Sequence, residues 1–137
     1  MQPTLAVSLG ALALALALPA LAVPLPQPKT EHGIVYLSGG VGHEEALALQ
    51  AAAKNYPLSL VFAAGRHNDY LADVKVTLKD QHNKVLLDTV SGGPIMLLKV
   101  PPGRYAIAAQ TEGKTLRRSV QVKAGAERQV VLHWPRA

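Results

Sequence analysis

His43-Glu44-Glu45 is the first group in the chain with residue types suited to catalysis. In HExxH, two imidazoles one helical turn apart hold zinc while the glutamate acts as base, but position 47 here is Leu47 and the second ligand is missing. The two glutamates read instead as first-turn acids that complement a helix dipole. The five histidines, His32, His43, His67, His82 and His133, stand singly, with none of the two- to four-residue spacings of metal sites. His67, beside Asn68 and Asp69, and His82, two residues after Asp80, fall in expected loops and are the weak candidates for copper or zinc. With Met96 the only methionine besides Met1, a Met-rich cuprous site is excluded. The glycine-rich stretch Ser38 to Glu45 lacks the Lys and hydroxyl of a phosphate-cradling GxxxxGK[ST], and no GxSxG surrounds Ser38, Ser59, Ser91 or Ser119. The expectation is a chain with no catalytic residues and no cofactor.

Charge is the stronger clue. The 137 residues carry 14 Lys and Arg against 9 Asp and Glu, a formal charge of +5. From Ile95 onward Lys99, Arg104, Lys114, Arg117, Arg118, Lys123, Arg128 and Arg136 face only Glu112 and Glu127, so the basic character is concentrated in the last third. Arg104, Lys114, Arg117 and Arg118 are the expected contacts for an anionic partner, a protein or an acidic polymer of the cell envelope. One Trp, one Phe and four Tyr leave few rings on which bases stack, which argues against nucleic acid. The complete absence of Cys excludes disulfides, thiolate nucleophiles and thiolate metal sites.

The elements that position these side chains follow from patterning. Leu5 to Ala22 is an almost unbroken Ala and Leu run, and the first charged side chain is Lys29. The run approaches the roughly 18 to 20 residues that cross a bilayer, so length alone also allows a retained anchor. Pro19 before Ala20-Leu21-Ala22, with small residues where a signal peptidase reads, favours cleavage, although MQPT lacks the usual basic residue. Residues 1–22 are therefore expected to be a signal peptide directing the product to the periplasm or outside the cell. Membrane contact is expected only through that segment, if it is not removed.

Pro24, Pro26 and Pro28 mark residues 23–32 as an extended linker. Within 33–57, a short strand over Gly33 to Ser38 and a glycine turn precede the one convincing helix, His43 to Lys54, which is rich in Ala, Leu, Glu and Gln and stopped by Pro57. From Leu58 the period becomes two. Strands are expected at 58–64, 72–79, 84–90, 95–100, 104–111, 115–123 and 127–134, separated by turns such as DQHN, SGGP, PPG and EGK. Alternation places Val74, Val76, Leu78, Tyr105, Ile107, Ala109, Val130, Leu132 and Trp134 inside, joined by Leu60, Phe62, Leu87, Leu97, Val120 and Val122.

Three spaced elements carry a resemblance: V-x-V-x-L-x-D-x-x-x-K-V at Val74 to Val85, PPGRY at Pro101 to Tyr105, and V-x-V-x-A-G at Val120 to Gly125. Residues 58–134 resemble the carboxypeptidase regulatory-like domain. The resemblance implies an all-β, seven-stranded, transthyretin-like Greek-key sandwich with one short helix before it. It also implies that Tyr105 packs beneath the sheet and that the domain is a non-catalytic appendage or binding module. Hydroxyisourate hydrolases share that architecture but end in Tyr-Arg-Gly-Ser, where this chain has His133-Trp134-Pro135-Arg136-Ala137. Pairing of edge strands into a dimer is left open by the resemblance.

Overall fold

Two β-sheets packed face to face organise residues 24–136, the part of the chain that the computed structural model describes. The expected signal peptide, residues 1–22, lies outside these residues. Among the described residues no helix is long and apolar enough to cross a membrane. In chain order the elements are β1 (Lys29–Glu31), β2 (Ile34–Gly39), α1 (His43–Ala52), a 3-10 turn (Ala53–Asn55), β3 (Leu58–Ala64), β4 (Asp69–Tyr70), β5 (Val74–Lys79), β6 (Val85–Ser91), β7 (Ile95–Lys99), β8 (Gly103–Thr111), β9 (Lys114–Val122) and β10 (Arg128–Trp134). One sheet runs β1-β2-β7-β3-β10, with β4 appended to β3, and the other runs β6-β5-β8-β9. All pairs are antiparallel except β3 with β10, which run parallel from Arg128 beside Leu58 to Trp134 beside Ala64.

The all-β class matches the alternation, but the strand count does not: ten strands form where seven are expected, or eight with the short strand at 33–38. β1 and β4, at three and two residues, are too short to show a period. β2 is hydrogen-bonded along β7 from Val35 opposite Lys99 to Gly39 opposite Ile95, so it belongs to the first sheet. The Pro-rich stretch contributes β1 as soon as its prolines end, on the sheet edge, where missing N–H donors do least harm.

Between the sheets, Leu58, Leu60, Phe62, Leu98 and Leu132 from one side meet Val76, Leu78, Leu87, Ile107 and Val120 from the other. Trp134 is buried against Phe62 with ring centroids 6.2 Å apart, and its indole N–H donates to the Lys114 carbonyl at 3.1 Å, which leaves no polar atom stranded. Tyr105 is buried as the resemblance implies, and its hydroxyl donates to the Pro101 carbonyl at 2.5 Å. Burial, reinforced by the carboxylate of Asp80, pushes the phenol of Tyr105 upward, so it is neutral throughout the ordinary pH range.

A second, smaller core lies on the outer face of the first sheet, where Ala46 and Leu49 of α1 cover Leu37, Ile95 and Leu97. β7 is consequently apolar on both faces, which is why Ile95-Met96-Leu97-Leu98 shows no alternation. Of the expected core, Val130 alone is only partly buried, and Leu97 faces the helix. The helix ends at Ala52, before the 3-10 turn, and its first turn is tied down from outside: Glu45 reaches back to accept the Gly40 N–H at 2.8 Å.

Gly93 lies against the backbone of Gly39, where a Cβ would come within 2.3 Å of the carbonyl. Substitution Gly93→Ala is therefore expected to cost about 1–3 kcal/mol through a forced backbone shift. Gly42→Ala, where a Cβ meets nothing within 4 Å, is expected to cost only about 0.5 kcal/mol through its N-cap position, and urea unfolding of the two variants distinguishes them. Leu49→Ala removes a fully buried side chain from beneath the helix and is expected to cost about 2–5 kcal/mol in the same assay.

Candidate functional site

Strand pairing decides which cations share a surface, because directly paired residues point to the same side of a sheet. β5 pairs β8 with Lys75 opposite Gln110, Thr77 opposite Ala108 and Lys79 opposite Ala106. β8 pairs β9 with Arg104 opposite Gln121, Ala106 opposite Ser119, Ala108 opposite Arg117 and Gln110 opposite Thr115. Their neighbours Val76, Leu78, Tyr105, Ile107, Ala109 and Val120 are buried between the sheets, so this set faces outward.

The result is a shallow groove along β8. Its floor is made of Ala106 and Ala108, one wall carries Lys75, Thr77 and Lys79, and the other carries Thr115, Arg117 and Ser119. The two adjoining recesses hold about 330 and 220 Å³ and share Thr77, Lys79, Ala108 and Arg117. From strand spacing, Lys75 and Lys79 stand about 13 Å apart along β5, and Arg117 stands about 10 Å across from them. Arg104 extends the same face beyond Ala106. Among the described residues, Lys75, Lys79, Arg104 and Arg117 form no ion pair. Asp88, opposite Thr77 on the outermost strand β6, is the one carboxylate in these paired rows.

The four expected contact residues are thus divided. Arg104 and Arg117 share the outer face, whereas Lys114 and Arg118 fall on the alternate positions of β9, paired with Thr111 and Ile107. Arg118 is exposed because β9 is an edge strand, and its guanidinium donates to the Arg117 carbonyl at 2.9 Å. Arg118 still lines the first recess from that edge, Lys114 lines neither, and Lys75 and Lys79 complete the cationic lining. Their outward alternation with Val74, Val76 and Leu78 is visible in the sequence, but the pairing of β5 with β8 is not.

The weak metal candidates are not brought together. His67 lies in the loop after β3, next to Gly65, Arg66, Asp69 and Arg136. His82 lies in the turn after β5, where Asp80 accepts the backbone N–H groups of His82 and Lys84 at 2.8 and 3.0 Å. Arg136 links the first loop to the β8–β9 turn through Glu112 and Asp69, whereas β5 ends at the other extreme of β8, beside Ala106. The two histidines therefore occupy opposite ends of the sandwich. Among the described residues no group of three or more His, Asp or Glu side chains is placed to hold a metal ion. His133 is occupied by a hydrogen bond with the Gly65 carbonyl at 2.7 Å, and His32 by one with the Leu86 carbonyl at 3.2 Å.

A third recess, of about 360 Å³, runs beside α1 on the outer face of the first sheet and is lined by Val61, Tyr70 and Val131 with Gln50 and Gln129. Tyr70 and Val131 are each 54% exposed there, and no cation lines it. No family model matches the chain, and a comparison with curated proteins finds no match either.

Two carboxylates at opposite ends of the molecule report its acid stability. The Lys84 backbone N–H, and then that of His82, hold Asp80 below its ordinary value, and the Arg136 guanidinium holds Glu112 below its own. A group depressed in the folded state contributes stability above its unfolded pKa, and that contribution disappears as pH falls through the folded value. Asp80→Asn is expected to lower the urea midpoint at neutral pH and to flatten its fall below about pH 4. Unfolding curves measured across that range check both effects.

Proposed function

We propose that this chain is an exported, non-catalytic β-sandwich module of the cell envelope that contacts an anionic partner, protein or polymer, through the outer face of β5, β8 and β9. The observation that carries the reading is the gathering of Lys75, Lys79, Arg104 and Arg117 on one sheet face, unpaired among the described residues. Cations held this way on a rigid sheet contribute little to folding, since exposed ion pairs and lone surface charges are worth about 0–1 kcal/mol. Their joint field instead attracts polyanions from solution.

Export rests on the Ala and Leu run at 5–22 with its Pro19 and small-residue site. The transthyretin-like reading rests on the motifs at Val74, Pro101 and Val120 and on the order of the seven longer strands after α1. These fall as β7-β3-β10 against β6-β5-β8-β9, with the closing strand parallel to the first. On that reading β1, β2, β4 and α1 are additions to a carboxypeptidase regulatory-like core.

A pull-down from envelope extract with the purified protein, at low and high salt, tests the function. A partner is expected at low salt and its recovery is expected to fall as salt screens the face. Arg104→Glu combined with Arg117→Glu is expected to abolish recovery, and Lys54→Glu, on the 3-10 turn far from the groove, to leave it unchanged. Retention of every partner by the double variant contradicts the reading.

A further inference from the structure

We infer that the groove along β8 takes a linear phosphate polymer, a chain whose negative charges lie on its own backbone. This deepens the reading above and rests on it, since it names the occupant of the same face. The first reason is the balance of donors and acceptors. Lys75, Lys79 and Arg117 offer only donors, and the hydroxyls of Thr77, Thr115 and Ser119 stand between them. A phosphate chain offers acceptors alone and matches this lining. An acidic peptide carries its charges on side chains that stand off its backbone, and so lays a wider chain on the floor of Ala106 and Ala108.

The second reason is shape. The groove lies on the face of the sheet, with β8 paired on both sides, so its floor has no free backbone edge for strand addition. Between the backbones of β5 and β9 there is about 10 Å, much of it taken by side chains, so a slender chain fits and a bulky one does not. The floor has no aromatic ring or deep pocket that would recognise a sugar plane or an apolar side chain.

The third reason is spacing. From the level of Lys75 and Gln110 to that of Arg104 the groove extends about 20 Å. The cations follow one another along that length at two-residue steps of about 7 Å, alternating between the walls of the groove. No small anion touches more than one or two of them. Only an extended polyanion engages all four, and each additional contact acts as an intramolecular event that raises affinity without a new site.

The test is titration of the purified protein, at low salt, with long-chain inorganic polyphosphate, with tripolyphosphate at equal phosphate concentration and with polyglutamate of comparable charge. Long-chain polyphosphate is expected to bind at least tenfold more tightly than either. Lys75→Ser with Lys79→Ser, and separately Arg117→Ser, are expected to weaken it about tenfold, while Lys54→Ser leaves it unchanged. Ala108→Glu fills the floor and adds a negative charge while keeping every cation, and is expected to abolish binding. Urea midpoints confirm that each variant is folded. Polyglutamate binding as tightly as polyphosphate overturns the phosphate assignment and leaves the basic-face reading standing. Equal loss on Lys54→Ser shows that overall charge alone is responsible and also overturns the assignment. Failure of all three polyanions to bind at low salt overturns both.

Discussion

Burial of Val76, Leu78, Ile107 and Ala109 between the sheets determines where the cations of this protein stand. Side chains of a strand alternate between faces, so once these four are inside, Lys75, Thr77, Lys79, Ala106 and Ala108 have no choice but to face out. The antiparallel registers of β5 with β8 and of β8 with β9 then bring Lys75 and Lys79 into the same rows as Arg117. A slip of one residue would bury Lys75 and Lys79 and expose the core, a cost of many kcal/mol, so the register is specified strongly. The groove is thus a by-product of the core: the apolar alternation that holds the sheets together also positions the charged face.

The first sheet solves a different problem. Its outer face is apolar along Leu37, Ile95 and Leu97, and α1 lies over it, which leaves β7 buried on both sides. Two glycine-rich corners allow this. Gly93, just before β7, lies against the backbone of Gly39 at the end of β2, a contact that no larger residue at 93 permits, and the Ser38 hydroxyl accepts the Gly92 N–H at 3.0 Å nearby. Glu45 closes the same corner by holding the Gly40 N–H. The histidine and glutamates that open the helix thereby have a structural use for at least one member, and the SGGVG stretch serves close packing.

Much of this was readable from residues, and the limits were physical. Alternation at Val74 to Lys79 and Arg104 to Thr111 identified the strands and their buried faces, because one wet face and one dry face leave a period of two. β7 is legible as a strand but not as one buried on both faces, because two dry faces leave no alternation, and α1 conceals its buried side because alanines and leucines lie around much of it. Arg104 and Arg117 are legible as part of a basic segment, yet the segment also supplies Lys114 and Arg118 at alternate positions of β9, of which Arg118 reaches the groove from the sheet edge and Lys114 does not. Alternation turns Lys75 and Lys79 to solvent, but their closeness to Arg117 depends on the pairing of β5 with β8, between residues 27 to 35 apart in the chain. No local pattern encodes that pairing.

The proposed anion site is a single outward face, assembled by the register of β5, β8 and β9. The most direct measurement follows the backbone amide resonances of the labelled protein as long-chain polyphosphate is added at low salt. Shifts are expected to concentrate at Lys75, Thr77, Ala106, Ala108, Arg117 and Ser119, with those of α1 and of the loop carrying His67 unmoved. Shifts spread evenly over all surface lysines and arginines, or centred on the helix side of the first sheet, would contradict it.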